Sequence, residues 1–213
     1  MADLKLRTAY FGGSFDPPHA GHIALAEAVV ASGMADEVWL APAWVPPHKH
    51  RVLSPFGDRL KMTALACNGK RGIRVCADEE EFKLDPSYTI DVLKKLEKKY
   101  PEREFLLLIG GDMLATFHEW HRAKELLAKY RVVSYPRAGE ATGVDELNRH
   151  WSRPETEKLR AGLLAAAPLF DISSTNIRTG LEKGQNVGNS INTEVFDYIM
   201  KSGLYRKKGD KID

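Results

Sequence analysis

Cysteine is scarce in this sequence. The two cysteines, Cys67 and Cys76, form no CxxC pair and belong to no Cys/His cluster. This spacing argues against a zinc site and against a disulfide framework. We expect both side chains to be buried, reduced thiols.

Long apolar runs are also absent. The N-terminal stretch MADLKLRTAYFGG has no apolar segment of the length that a signal peptide needs. No other segment approaches the ~20 apolar residues of a membrane span. The sequence therefore predicts a soluble, cytoplasmic protein with no membrane partner.

A charge excess of either sign is missing as well. Lysine and arginine total 31 against 29 aspartates and glutamates. A dedicated nucleic-acid-binding protein carries a broad basic excess, so we expect no nucleic-acid partner. Any recognition of phosphate must depend on a few local residues.

Short apolar runs alternate with amphipathic segments along the chain. This alternation predicts an α/β fold: a doubly wound, Rossmann-like parallel sheet with helices on both faces. The predicted strands are Leu6–Phe11, Glu37–Ala41, Ile73–Ala77, Phe105–Ile109, Arg131–Tyr135 and Leu169–Ile172. The predicted helices are His22–Ser32, Phe56–Cys67, Thr89–Lys99, Ala123–Lys129, Glu155–Ala166, Asn176–Glu182 and Thr193–Ser202.

The pattern predicts a single domain over residues 1–205, followed by a polar tail over residues 206–213. The segment Pro136–Pro154 is rich in proline, glycine and charge, and it is interpreted as a surface connection within that domain. Association into a homo-oligomer is left open, as is movement of this connection on binding.

The segment GGSFDPPHAGH, Gly12–His22, joins the first predicted strand to the first predicted helix. The carboxyl edge of an open α/β sheet is where such folds bind ligands. Gly12 and Gly13 let the backbone approach a phosphate closely. His19 and His22 are one helical turn apart, so both imidazoles can face one side, beside the free N–H groups of the helix start. The segment therefore predicts a polyphosphate site.

These residues resemble the HxGH signature of the nucleotidyltransferase superfamily, whose loop binds the phosphates of ATP. The resemblance implies that His19 and His22 are catalytic. It also implies contacts to ATP from Gly12, Gly13, Ser14, Phe15, His19 and His22.

A second segment, ISSTNIR, lies where a predicted strand gives way to a helix near the C-terminus. Thr175 is the expected N-cap of that helix. Arg178 supplies a planar cation with several donors, which suits phosphate oxygens. The segment resembles the ISSTxIR motif of adenylyltransferases of the nicotinate mononucleotide type. This resemblance implies that Ser173, Ser174, Thr175 and Arg178 bind ATP, and that Arg178 is also catalytic.

Three further segments resemble the same family, namely PPHK, PSYTIDVL and IGGDMLATFHEWH. The resemblance implies that Tyr88 and Thr89 bind the acceptor near its nicotinate carboxylate. It also implies that Trp120 stacks on the pyridine ring, which suits a flat aromatic side chain and a cationic heterocycle. Lys49 is expected to reach the acceptor phosphate or the triphosphate.

Gly110 and Asp112 follow a predicted strand, and the resemblance places both beside the adenosine of ATP. A helix N-cap is a compatible second role for Asp112. The partners implied are thus ATP and nicotinic acid mononucleotide, with Mg²⁺ carried mainly by the ATP phosphates. No acidic cluster in the sequence suggests a protein metal site.

Three alternatives remain at this stage. The first is a transferase of the same fold that acts on nicotinamide mononucleotide, phosphopantetheine or glycerol phosphate. The second is a non-catalytic regulator that binds ATP, and the third is an RNA-handling module with a similar loop. The near-neutral charge disfavours the third.

Overall fold

A computed structural model describes residues 5–47, 53–135, 144–164 and 172–206. Five parallel strands form one sheet in the order β3-β2-β1-β4-β5. The strands are β1 (Leu6–Gly13), β2 (Glu37–Pro42), β3 (Ile73–Val75), β4 (Arg103–Leu108) and β5 (Val132–Val133).

Helices connect these strands and complete the described part of the chain. They are α1 (Ala20–Ala31), α2 (Phe56–Cys67), α3 (Asp78–Phe82), α4 (Thr89–Lys99), α5 (Gly111–Ala115), α6 (Ala123–Lys129), α7 (Val144–His150), α8 (Arg153–Ala161), α9 (Ser174–Glu182) and α10 (Thr193–Ser202). A single 3₁₀ turn, Phe117–Glu119, lies between α5 and α6.

Two apolar clusters cover the two faces of the sheet. Successive side chains of a strand point to opposite faces, so Phe11 enters one cluster and Tyr10 the other. Residues of α1, α2, α9 and α10 complete the first cluster, and residues of α4 to α8 complete the second. Strand β2 is buried over its whole length, as a parallel strand covered on both faces must be.

The predicted fold class is confirmed: an α/β fold with a parallel sheet between helical layers. Four helices, α2, α4, α6 and α10, have the predicted bounds. Both cysteines are buried and unpaired, as expected. Within the described residues, no helix is long and apolar enough to cross a membrane.

Several predicted bounds are wrong. Strands β3 and β5 are shorter than predicted, and α8 ends at Ala161 instead of Ala166. The next residue, Gly162, accepts a hydrogen bond from the N–H of Ser134. A Cβ at this glycine would lie 1.7 Å from the carbonyl oxygen of Val132, so only glycine allows the chain to leave the helix this close to β5.

Three helices were missed. Helices α3 and α5 have five residues each, too few to show a helical period. Helix α7 lies inside the predicted connection Pro136–Pro154, whose residues 136–143 are outside the described part of the chain. The predicted strand Leu169–Ile172 also lies outside it, except for Ile172. The division at residue 205 stays a prediction, since only Arg206 of the tail is described.

Candidate active site

The first predicted motif follows β1, and Gly110 and Asp112 follow β4; these two strands are neighbours at the centre of the sheet. Helix α1 leaves β1 toward the first cluster, whereas α5 and α6 leave β4 toward the second. The two connections diverge here and open a crevice between them. This switch point is where doubly wound sheets bind nucleotides.

The loop after β1 is anchored by Phe15. This side chain is 2% exposed, and its ring meets the rings of Phe11 and His22 edge-on, at centroid distances of 5.6 and 4.9 Å. The backbone φ of Phe15 is 45°, in the left-handed region. A residue other than glycine keeps this conformation only where its surroundings fix it. Because the ring is buried, any contact of Phe15 with a ligand must come from its backbone.

His19 and His22 lie face to face at the start of α1. Their rings stack at a centroid distance of 3.6 Å. The backbone N–H of His19 donates to Nδ1 of His22 at 3.1 Å. Since Nδ1 of His22 accepts this hydrogen bond, its neutral imidazole carries the proton on Nε2. The fold thus fixes the tautomer of His22 as an Nε2–H donor.

Burial keeps both imidazoles neutral. It lowers the pKa of His19 to about 4, against a smaller opposing effect of the Asp112 carboxylate. It also lowers the pKa of His22 well below its usual value of 6.5, and the neighbouring His19 adds to this effect. The pair therefore offers neutral donors at pH 7, ready to meet the charge of a polyphosphate.

The start of α1 is less open than the sequence predicts. The N–H of Ala20, its first residue, donates to the carbonyl oxygen of Ser190 at 2.8 Å. The N–H of His22 donates to the carbonyl oxygen of His19 at 2.9 Å. The prediction of free N–H groups at this helix start is wrong for these two residues, so the imidazole edges become the more important donors.

The second predicted segment packs directly on this loop. The hydroxyl of Ser174 donates to the carbonyl oxygen of Pro17 at 2.8 Å, and the Arg178 guanidinium donates to that of Asp16, also at 2.8 Å. Arg178 further donates to the hydroxyl of Thr175 at 3.0 Å. These hydrogen bonds join the two motifs into one surface.

The N-cap of α9 is Ser173, so the prediction of Thr175 as the cap is wrong. The Ser173 hydroxyl accepts from the N–H of Asn176 at 3.1 Å. The helix begins at Ser174, two residues before the predicted start. Several residues of this segment carry a hydroxyl that can cap a helix, and only the backbone conformation distinguishes among them.

Asp112 joins the same crevice from β4. It lies exposed in the first turn of α5, and its carboxylate opposes the lowering of the pKa of His19. The N-cap of α5 is Gly110, not Asp112. Gly110 and Asp112 thus follow β4 on the side of the sheet edge where the loop after β1 begins, and their contact with ATP stays a prediction.

The segments that carry Tyr88 and Trp120 are joined by His121, a residue that the sequence analysis did not identify as part of the site. Tyr88 is the N-cap residue of α4, and its ring stacks on His121 at a centroid distance of 4.0 Å. Trp120 precedes His121 and packs edge-on against Phe117 at 5.4 Å. Thr89, the first residue of α4, is half-buried. Lys49 lies outside the described residues.

A buried arginine and a buried glutamate support the loops of the site, and neither was predicted. The guanidinium of Arg59 donates to the carbonyl oxygens of Ser14 at 3.1 Å and Ala43 at 2.9 Å. Glu79 accepts from the hydroxyl of Tyr10 and from the N–H of Trp44, both at 2.7 Å. In the sequence both residues resemble ordinary charged helix positions, and only burial distinguishes them.

Comparisons with known proteins identify the family of the chain. The family model described as cytidylyltransferase-like matches residues 10–180. Two bacterial relatives carry the name "Probable nicotinate-nucleotide adenylyltransferase". That of Halalkalibacterium halodurans is 35% identical over 94% of this chain and 91% of its own length. That of Dehalococcoides mccartyi is 36% identical over 96% of this chain and 100% of its own length.

Solved structures support the fold. Nicotinic acid mononucleotide adenylyltransferase of Plasmodium falciparum, complexed with NaAD, superimposes with a TM-score of 0.72 at 21% identity. This match covers 94% of the present chain and 97% of the other. The same enzyme complexed with APC gives a TM-score of 0.70 at 20% identity, with the same coverage.

Proposed function

The chain belongs to the nicotinate-nucleotide adenylyltransferases, enzymes of the cytidylyltransferase-like family of nucleotidyltransferases, and we propose that it transfers the adenylyl group of ATP to nicotinic acid mononucleotide. The products are nicotinic acid adenine dinucleotide and pyrophosphate, so the reaction is a step of NAD biosynthesis. The names of the curated relatives support this acceptor, as do the ligands in the titles of the solved structures.

The observation that carries the proposal is the junction between the two motifs. Ser174 and Arg178 donate to the loop that leads into His19 and His22. Three side chains with N–H donors, two imidazoles and one guanidinium, therefore border the same crevice. This set suits a triphosphate, since negative charge builds up on the leaving pyrophosphate during transfer.

The reaction needs no protein nucleophile. An oxygen of the acceptor phosphate, already anionic at neutral pH, attacks the α-phosphorus of ATP in line. One new P–O bond forms, the bond between the α-phosphorus and the bridging oxygen breaks, and pyrophosphate leaves with that electron pair. The role of the chain is to position the two substrates and to stabilise the negative charge that develops.

Each donor has a role in this scheme. His22 presents the Nε2–H that its hydrogen bond at Nδ1 fixes, and His19 lies against it as a second neutral imidazole. Arg178 contributes a permanent positive charge, which its hydrogen bonds to Asp16 and Thr175 hold in place. Preorganised donors of this kind lower the barrier because they need not reorient as the charge moves.

Mg²⁺ fits the site as an ion carried by the nucleotide. Among the described residues, no group of three His, Cys, Asp or Glu side chains could hold a metal. Mg²⁺ commonly keeps waters and phosphate oxygens as ligands, with only one or two carboxylates from the protein. Asp112, exposed in the first turn of α5, keeps its proposed place beside the adenosine of ATP. Bound Mg²⁺ would neutralise charge on the phosphates.

The proposed acceptor residues lie on two segments that contact each other. Trp120 follows α5 along the chain, so the segment that brings Asp112 to His19 also carries the proposed ring platform. Tyr88 contacts this segment through His121. We assign the nicotinate ring to Trp120 and its carboxylate to Tyr88 and Thr89.

The test is pyrophosphate release from ATP and Mg²⁺, with nicotinic acid mononucleotide, nicotinamide mononucleotide and phosphopantetheine as parallel acceptors. We expect a strong preference for the first acceptor. A preference for another would keep the histidine mechanism and overturn the assignment of the acceptor. No release with any of the three would overturn the proposed reaction.

A further inference from the structure

Tyr205 reaches the ATP loop from the opposite end of the sequence. It lies just after α10, and its hydroxyl donates to Oδ1 of Asp16 at 2.5 Å, across 189 positions of the chain. Asp16 is fully buried, and its Oδ2 accepts from the N–H of Ser54 at 3.4 Å. A buried carboxylate needs such donors, because removal from water is otherwise costly.

Asp16 is also the residue on which the two ATP motifs meet. Its backbone carbonyl accepts from Arg178, and the carbonyl of the next residue, Pro17, accepts from Ser174. His19 follows two positions later. The Asp16 side chain therefore fixes the loop from within, while its backbone faces the second motif.

Left-handed backbone is found on both sides of the contact between Tyr205 and Asp16. Phe15, directly before Asp16, has a φ of 45°, and Tyr205 itself has a φ of 61°. Residues other than glycine rarely adopt such conformations, and they keep them only where other contacts compensate for the strain. The Tyr205 side chain supplies compensating contacts, since it packs on the first apolar cluster as well as on Asp16.

We propose that Tyr205 is a positioning residue of the ATP site, which through Asp16 holds the loop after β1 in the conformation that aligns His19, His22 and Arg178. This inference rests on the proposed function, since it assigns a support to the same site. Burial and the Asp16 carboxylate raise the pKa of Tyr205, so its hydroxyl stays a donor at any pH at which the enzyme would work.

The chain offers a matched control for this contact. Tyr198, on α10, donates to Oδ1 of Asp58 at 2.7 Å and so joins α10 to α2. It is also a tyrosine bonded to a carboxylate, and it comes from the same C-terminal region. Its hydroxyl bonds to α2 and not to the loop after β1. Loss of its hydroxyl should therefore affect stability without affecting ATP.

The experiment compares Tyr205→Phe with Tyr198→Phe in the full chain. ATP binding is measured by calorimetry without acceptor, alongside the melting temperature and the steady-state constants. We expect both variants to lose a few degrees of melting temperature. Only Tyr205→Phe should weaken ATP binding, by about tenfold, the usual effect of one hydrogen bond to a charged group.

The steady-state constants separate a positioning role from a general one. Tyr205→Phe should raise KM for ATP and lower kcat, with little change in KM for the acceptor. ATP binding equal to that of the wild type would overturn the proposal, and so would an equal loss in Tyr198→Phe. Absence of turnover by the wild type would refute the reaction instead, while the binding comparison would still decide the role of Tyr205.

A double variant tests the route through Asp16. Asp16→Asn keeps an oxygen acceptor but removes the charge, and it is combined with Tyr205→Phe. If Tyr205 acts through Asp16, the combined loss in ATP affinity should be smaller than the product of the two single losses. A combined loss equal to that product would overturn this route.

Discussion

The hydroxyl of Ser174 donates a hydrogen bond of 2.8 Å to the carbonyl oxygen of Pro17, which lies 157 positions earlier in the chain. This contact places the start of α9 against the loop after β1. Each segment alone is a common strand-to-helix connection. Together they form one surface, and the chemistry proposed above requires that surface to be intact.

Replacing His22 tests the histidine mechanism. His22→Ala removes the oriented Nε2–H, and loss of one preorganised donor typically costs about a hundredfold in kcat. We expect a loss of at least this size, with the far-ultraviolet circular dichroism of the wild type. His150→Ala, at an exposed position, is the control and should retain full activity. An active, normally saturating His22→Ala enzyme would refute the assignment.

Replacing Trp120 tests the acceptor pocket. Trp120→Ala removes the proposed stacking surface and should raise KM for nicotinic acid mononucleotide by about tenfold, with a smaller effect on KM for ATP. Trp120→Phe keeps a smaller ring and should lose only part of this affinity. Equal increases in both KM values would indicate instead that Trp120 only supports the core beside Phe117.

The two half-buried imidazoles should make stability depend on pH. Their pKa values are lowered in the folded chain, to about 4 for His19, and unfolding returns them to about 6.5. The unfolded chain thus binds more protons between about pH 4 and 6.5, and the free energy of unfolding falls as the pH falls through this window.

The measurement is the melting temperature without ATP at pH 7 and pH 5. We expect a drop at pH 5 in the wild type and a smaller drop in His19→Asn, which lacks one of the two groups. Identical drops in His19→Asn and the wild type would contradict the expected link.

Two hydroxyls of the second motif should separate stability from ATP binding. Ser173→Ala removes the N-cap of α9 and should lower the free energy of unfolding by about 1 kcal/mol in urea titrations. Thr175→Ala removes a hydrogen-bond acceptor of Arg178 and should raise KM for ATP with less effect on stability. The reverse pattern would restore Thr175 as the cap.

Sequence periodicity predicted the longer elements well. Helices α2, α4, α6 and α10 follow the predicted bounds because each has an apolar face that packs into one of the two apolar clusters. The five-residue α3 and α5 were missed because one turn is too short for a period. The end of α8 was misplaced because it depends on the approach of Gly162 to β5, which local sequence does not record.

The two motifs could be located from the sequence because each is a continuous run of residues. The histidine pair and the second motif were located from their own residues, since strand, loop and helix start follow one another directly. Their mutual contacts could not be predicted in the same way. The hydrogen bond of Ala20 to Ser190, or of Tyr205 to Asp16, joins residues whose neighbours in sequence give no sign of the partner.

The separation of the two motifs also affects how the protein is made. The loop after β1 leaves the ribosome early, but Asp16 receives its hydrogen bond from Arg178 only after 162 further positions have been synthesised. A nascent chain can therefore begin to pair β1 with β2 while its nucleotide site is still incomplete. The donors that we propose for ATP are therefore brought together only after α9 has been synthesised.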